Sequence, residues 1–209
     1  MKIILLAAKE QKEELITPGE DLPAEVVWSP EFKMMEEAAN ADVLIDLLFD
    51  DSTERITELK QQGPKMIIVN SVVKTLHELD SSFIRINGWN TFLKRQMVEA
   101  AGDESGKEKA GEVFSFLNKK IEWAADTPGF ITPRVIASII NEAYFALEQE
   151  ISTREEIDTA MKLGTNYPYG PFEWSEKIGL KNIYSLLTRL SAEQKRYKPA
   201  ALLIQETSV

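Results

Sequence analysis

Five short apolar runs rich in β-branched residues recur through the first half of the chain: Ile3–Leu6, Val26–Trp28, Val43–Phe49, Met66–Val69 and Phe83–Ile86. They are continuous rather than alternating. That suits parallel strands covered on both faces, because a sheet wetted on one side would show a polar residue at every second position. Segments of helical character lie between several of them. Pro30–Ala39 carries Phe32, Met35 and Glu36-Glu37 in an amphipathic pattern. Ser52–Gln62 opens on a cap at Asp51 or Ser52 and stops at Gly63-Pro64. Strand–helix alternation with short connections predicts a doubly wound α/β sheet.

A helix over Lys107–Lys119, with Ala110, Val113, Phe114 and Leu117 on one face, and a short strand at Ile121–Ala124 extend this first part. After Thr127-Pro128-Gly129 the period becomes helical throughout. Arg134–Glu150 places Val135, Ile139, Ala143, Ala146 and Leu147 on a buried helix. Ser152-Thr153-Arg154-Glu155-Glu156 opens the next helix with a capping-box pattern. Lys181–Leu190 and Ala192–Glu206 complete an all-helical end. The expected domains are 1–125 and 126–209, with the boundary near Asp126–Gly129.

The formal charge of −10 argues against nucleic acid or an anionic membrane as the main partner, since an acidic surface repels phosphate. Lys195-Arg196-Tyr197-Lys198 is a short basic cluster and reads as a solvated helix end. Cysteine is absent and His77 is the only histidine. No metal site, thiolate chemistry or Ser-His-Asp arrangement is therefore expected. The opening Met1–Ala8 stretch is too short for a signal segment and reads as a buried strand. No run is long enough to span a bilayer, and the expected location is cytoplasmic.

Four motifs follow one another in the second half: Asp126-Thr127-Pro128-Gly129-Phe130-Ile131, Asn141-Glu142-Ala143, Ile157-Asp158-Thr159-Ala160-Met161-Lys162-Leu163-Gly164 and Gly170-Pro171-Phe172-Glu173. Weaker matches precede them at Ala41–Asp46, Phe49-Asp50, Val69-Asn70-Ser71, Trp89-Asn90 and Met97-Val98-Glu99. This succession resembles the 3-hydroxyacyl-CoA dehydrogenases, best over Asp126–Gly179. The resemblance implies a Rossmann-like parallel-sheet domain that binds NAD. It also implies an all-α domain, of the kind at the C-terminus of 6-phosphogluconate dehydrogenase, that forms a homodimer and one wall of an acyl-CoA pocket. In such enzymes hydride leaves C3 for nicotinamide while a histidine–glutamate pair takes the hydroxyl proton.

Carried over residue by residue, the resemblance puts Glu99 on the glutamate and Asn87 on the histidine. An amide has no useful basicity near neutral pH, so Asn87 cannot serve as that base. The family's serine falls on Val72, or on Ser71 after a slip of one residue, and its second asparagine falls on Pro133. Asn90 keeps the asparagine beside the histidine and stands as a candidate for an acyl-CoA carbonyl, or as a turn residue. Tyr169 falls on the acyl-CoA wall, where Pro and Gly fixing a turn and aromatic rings packing the core are the alternative. Glu99 without its histidine is expected to cap a turn or face solvent, with a hydrogen bond to Asn87, should the two be buried together, as the alternative.

A dinucleotide needs a glycine-rich turn so that backbone N–H groups can reach its pyrophosphate. After Ile3–Leu6 the chain runs Ala7-Ala8-Lys9-Glu10-Gln11-Lys12-Glu13-Glu14, without glycine and with three carboxylates. After the second strand, Trp28-Ser29-Pro30 stands where a ribose-binding acid is needed, with Glu31 out of place. No cofactor is therefore expected, although the family's cofactor is NAD. The reading is a dehydrogenase relative without competent hydride transfer, with a binding or interaction role and an acyl-CoA-like small molecule as candidate ligand. The alternatives are NAD-dependent oxidation through a non-standard site, and a subunit that pairs with a complete dehydrogenase.

Overall fold

The computed structural model describes residues 1–16, 23, 25–32 and 36–208, the side chains of Glu36 and Glu37 excepted. It divides into two compact units, Met1–Phe130 and Ile131–Val209. The first unit is built on a seven-stranded sheet of order β2-β1-β3-β4-β5-β6-β7. Its strands are β1 (Ile3–Leu6), β2 (Val26–Ser29), β3 (Val43–Asp46), β4 (Ile67–Asn70), β5 (Ile84–Ile86), β6 (Met97–Ala101) and β7 (Lys120–Trp123). Every neighbouring pair is parallel except β5 with β6, which is antiparallel.

The continuous apolar runs behave as their composition requires. Ile3, Leu5, Val43 and Ile45 pack on one face of the sheet while Ile4, Leu6 and Leu44 pack on the other, and all are buried. Helices α1 (Lys9–Leu15), α2 (Thr53–Gln61) and α3 (Glu104–Phe116) belong to the same unit. Ser52 caps α2 by accepting from Arg55 N, and Asp103 caps α3 by accepting from Gly106 N. The sheet closes on β7, whose outward residues Lys120 and Glu122 keep a charged edge exposed.

Several expectations need correction. The strand read as Val43–Phe49 ends at Asp46, because Asp46 turns the chain by accepting from Leu48 N. Over Pro30–Ala39 the structure has only a 3-10 turn at Glu36–Asn40, and Lys33–Met35 lie outside the described residues. Strand β6 and helix α1 were not foreseen. Met97–Ala101 pairs antiparallel with β5, and its apolar character is interrupted by Glu99.

The second unit contains α4 (Thr132–Glu148), α5 (Arg154–Thr165), α6 (Pro171–Ile178), α7 (Leu180–Ser191) and α8 (Ala201–Thr207). The helix expected over Ala192–Glu206 is broken: a 3-10 turn at Lys195–Tyr197 precedes Pro199, and α8 begins only at Ala201. Proline lacks the N–H that a continuous helix would use there. Tyr197 is buried in that turn, so the basic cluster is not simply a solvated helix end. Among the described residues, no helix is long and apolar enough to cross a membrane.

Candidate functional site

In doubly wound sheets a ligand sits outside the carboxyl ends of the strands, where the strand order reverses. Here the reversal lies between β1 and β3, and that edge is occupied by the chain's own amides. Gln11, on the first turn of α1, is buried. Its Oε1 accepts from Ala8 N at 3.0 Å, and its Nε2 donates to Leu47 O at 3.0 Å and to Gly88 O at 3.4 Å. Asn70, at the end of β4, donates to the same Leu47 O at 3.3 Å and accepts from Gly88 N at 2.9 Å. Gly88 is required at this contact, since a Cβ there would lie 2.8 Å from Asn70 Cγ. The result is a lattice of hydrogen bonds across the ends of β1, β3, β4 and β5.

A dinucleotide does not fit these residues. The turn after β1 offers Ala7 and Ala8 where glycines would let a pyrophosphate approach, and its N–H groups are already spent, Ala7 N on Ser29 O and Ala8 N on Gln11. At the end of β2, the Trp28 indole donates to Ala7 O at 2.9 Å, and Lys12 lies over its ring at 4.0 Å. Asp46, which ends β3, is fully buried and paired with Arg55 Nε at 2.8 Å. Burial raises the Asp46 carboxyl, and the Arg55 guanidinium opposes that rise.

Asn87 and Glu99 are brought together. Asn87 immediately follows β5 and is buried, and its Nδ2 donates to Glu99 Oε2 at 3.1 Å. Glu99 is thus a half-buried residue of β6, neither a turn cap nor a free surface carboxylate. His77 is exposed in the segment after β4, away from any strand. Ser71 is buried and donates to Lys74 O at 3.3 Å, and Val72 is buried beside it. Asn90 is exposed in the turn after Trp89. Pro133 is buried in the first turn of α4, where its missing N–H costs nothing.

Arg85 escaped the sequence reading. It is a fully buried side chain within an otherwise apolar strand, and that lone cation was the available signal. Its Nε pairs with Asp126, its Nη2 donates to Thr127 O at 2.8 Å and its Nη1 donates to Ser71 O at 3.2 Å. Asp126 also accepts from Leu76 N at 2.9 Å, and the guanidinium lies 4.0 Å from the Phe130 ring centroid. Burial lowers the Arg85 pKa, with Asp126 opposing. The Asp126-Thr127-Pro128-Gly129-Phe130 motif therefore anchors the segment that leaves the sheet on the buried Arg85 guanidinium.

The helical motifs of the second unit have structural roles as well. Asp158 reaches the start of α6 and accepts from Phe172 N at 2.8 Å and Glu173 N at 3.1 Å. Gly170 is obligatory beside it, because a Cβ would sit 2.3 Å from the carboxylate. Glu173 folds back to accept from Gly170 N at 3.0 Å and pairs with Lys162. Asn141 donates to Lys198 O and accepts from Ala200 N, both at 2.9 Å, and so holds the break before α8. Tyr169 is half-buried, with its ring 6.2 Å from that of Trp174. Phe172 and Glu173 belong to α6 rather than to a turn between helices.

Residues 129–208 match the model of the 3-hydroxyacyl-CoA dehydrogenase C-terminal domain. The chain is 40% identical to the 3-hydroxyadipyl-CoA dehydrogenase of Escherichia coli K12 over 51% of its own length and 23% of that protein's. It is 33% identical to the 3-hydroxybutyryl-CoA dehydrogenase of Bradyrhizobium diazoefficiens over 59% of its length and 44% of that protein's. The alignments thus span less than half of these curated relatives. The crystal structure of an (S)-3-hydroxybutyryl-CoA dehydrogenase from Ralstonia eutropha superimposes with a TM-score of 0.73 at 22% identity, covering 88% of this chain and 70% of that one, a likeness of fold. Residues 129–208 are a 3-hydroxyacyl-CoA dehydrogenase C-terminal domain, and the ordered motifs with the matched relatives support assignment of the chain to that family.

Proposed function

We propose that this chain keeps the family's framework without its hydride-transfer chemistry, and acts by binding or by interaction. The observation that carries this reading is Gln11, whose carboxamide bridges Ala8 N, Leu47 O and Gly88 O where a pyrophosphate would lie. Asn87 supports it, since its amide donates to Glu99 and has no proton-accepting nitrogen to offer a hydroxyl. Loss of a base alone typically lowers a rate by about 10²–10⁴-fold. Loss of the hydride acceptor removes the reaction altogether.

The relatives' names point to acyl-CoA compounds as the candidate ligand class, with Asn90, Ser71 and Tyr169 as candidate contacts. We further propose a homodimer through the helical unit, where Val135 on α4 and Leu163 on α5 are exposed. Thermal-shift titrations with NADH and with 3-hydroxybutyryl-CoA, run side by side, test the reading. A ligand that binds only the native state stabilises it by mass action. Stabilisation by the thioester without stabilisation by NADH is expected, whereas NADH binding with turnover would overturn the reading. Light scattering should return a dimer mass.

A further inference from the structure

The carboxyl edge of the sheet is closed by a contact that carries strain. Thr91, in the turn after Trp89, has φ of 80°. This left-handed backbone is disfavoured for any side chain and most of all for a β-branched one. Its hydroxyl is also buried without a hydrogen-bond partner. Two unfavourable features at one residue persist only where surrounding contacts impose them.

Those contacts come from α1 and from Lys119. The Glu14 carboxylate accepts from Thr91 N through both oxygens at 2.8 Å. Lys119, itself buried, donates to Leu93 O at 2.6 Å, to Arg95 O at 3.1 Å and to Glu14 O at 3.2 Å. One ammonium therefore ties the end of α1 to the C-terminal side of the 88–95 loop. The Gln11 bond to Gly88 O, at 3.4 Å, is the longest of its three. The loop is thus held by charged groups at its C-terminal end, and at Gly88 by the long Gln11 contact and by the Gly88 N bond to Asn70 Oδ1 at 2.9 Å.

We propose that α1 and the 88–95 loop form a strained clasp, with Glu14 as its catch, that can open locally to uncover the carboxyl edge while the sheet stays folded. This rests on the closed-edge reading above. Opening would release the left-handed Thr91 and free Gln11 from Gly88. Leu15 at the end of α1 and Leu93 in the loop are both anchored in the core, so the movement is expected in the loop's backbone around Thr91.

Amide hydrogen exchange on the full chain tests the proposal. Glu14→Gln keeps the shape of the catch and weakens it. It should speed exchange across Thr91–Arg95 by roughly tenfold while the amides of β3 and β4 keep their native rates. Thr91→Gly removes both the strained side chain and the unpartnered hydroxyl, and should slow exchange in the same segment several-fold. Unchanged exchange in Glu14→Gln, acceleration spread evenly over the sheet, or faster exchange in Thr91→Gly would each overturn the clasp. An NADH titration of the native chain keeps the two conclusions apart: binding there removes the closed-edge reading, whereas the exchange pattern decides the clasp.

Discussion

Asn87, directly after β5, faces Glu99 on the antiparallel β6 and is joined to it twice, by Asn87 N to Glu99 O at 3.0 Å and by Asn87 Nδ2 to Glu99 Oε2 at 3.1 Å. The side-chain bond needs a donor on Asn87. Asn87→Asp sets two carboxylates at that distance, and like charges so close cannot both ionise without cost. We expect a loss of about 1–3 kcal/mol at neutral pH, much of it recovered in acid as one carboxyl takes a proton. Urea melts at the two pH values measure both. Glu99→Gln should leave stability within about 1 kcal/mol, since an amide oxygen can still accept.

Arg85 connects β5, the end of β4 and the segment before the helical unit through one buried guanidinium. Arg85→Met strands the Asp126 carboxylate and two carbonyls. Breaking a fully buried pair typically costs about 3–5 kcal/mol, and the partly exposed Asp126 carboxylate places the expected loss at or below the lower end of that range. Arg85→Lys should recover only part, because a point charge cannot serve three acceptors in a planar fork. A drop in the urea midpoint of the same order for both variants is the expected outcome, larger for Met.

Asp158 and Gly170 form a lock at the start of α6. Asp158→Ala removes the cap and should cost about 1–2 kcal/mol. Gly170→Ala forces a methyl into the carboxylate and should cost at least as much. With the carboxylate gone part of the clash is relieved, although the Asp158 Cβ, 2.4 Å from the added methyl, stays in place, so the double variant should lose somewhat less than the sum of the two single losses. A fully additive double-mutant cycle would contradict this geometry.

Lys60 holds the Asp80 carboxyl down to about 2, from 3.8, with Ser82 adding to the effect. A depressed folded pKa contributes stability that is complete above the unfolded value and is lost as pH falls through the folded one. Lys60→Met should therefore be less stable than the native chain above about pH 4, with the difference closing as pH falls toward 2. The pair is largely exposed, so the gap should stay below about 1 kcal/mol. A gap that persisted unchanged at pH 2 would assign the loss to packing instead.

Much of the fold was legible in the sequence, because parallel strands buried on two faces need continuous apolar runs, and Ile3–Leu6 or the first part of the Val43–Phe49 run cannot satisfy that need elsewhere. The capping box at Thr153–Glu156 was equally readable, since its bonds span only three residues. The family's motifs named the chain without explaining it. Asp158 and Gly170 looked like a functional signature, and only their contact shows a helix cap. Arg85 was hidden because its partners lie 14 to 42 residues away, and no local pattern records such a distance. The absence of glycine after β1 argued against an open phosphate turn from sequence alone. That Gln11 fills the space, and that Glu14 and Lys119 hold a left-handed Thr91 against it, was decided by tertiary packing: residues distant along the chain meet there, and their hydrogen bonds outweigh the local backbone preference.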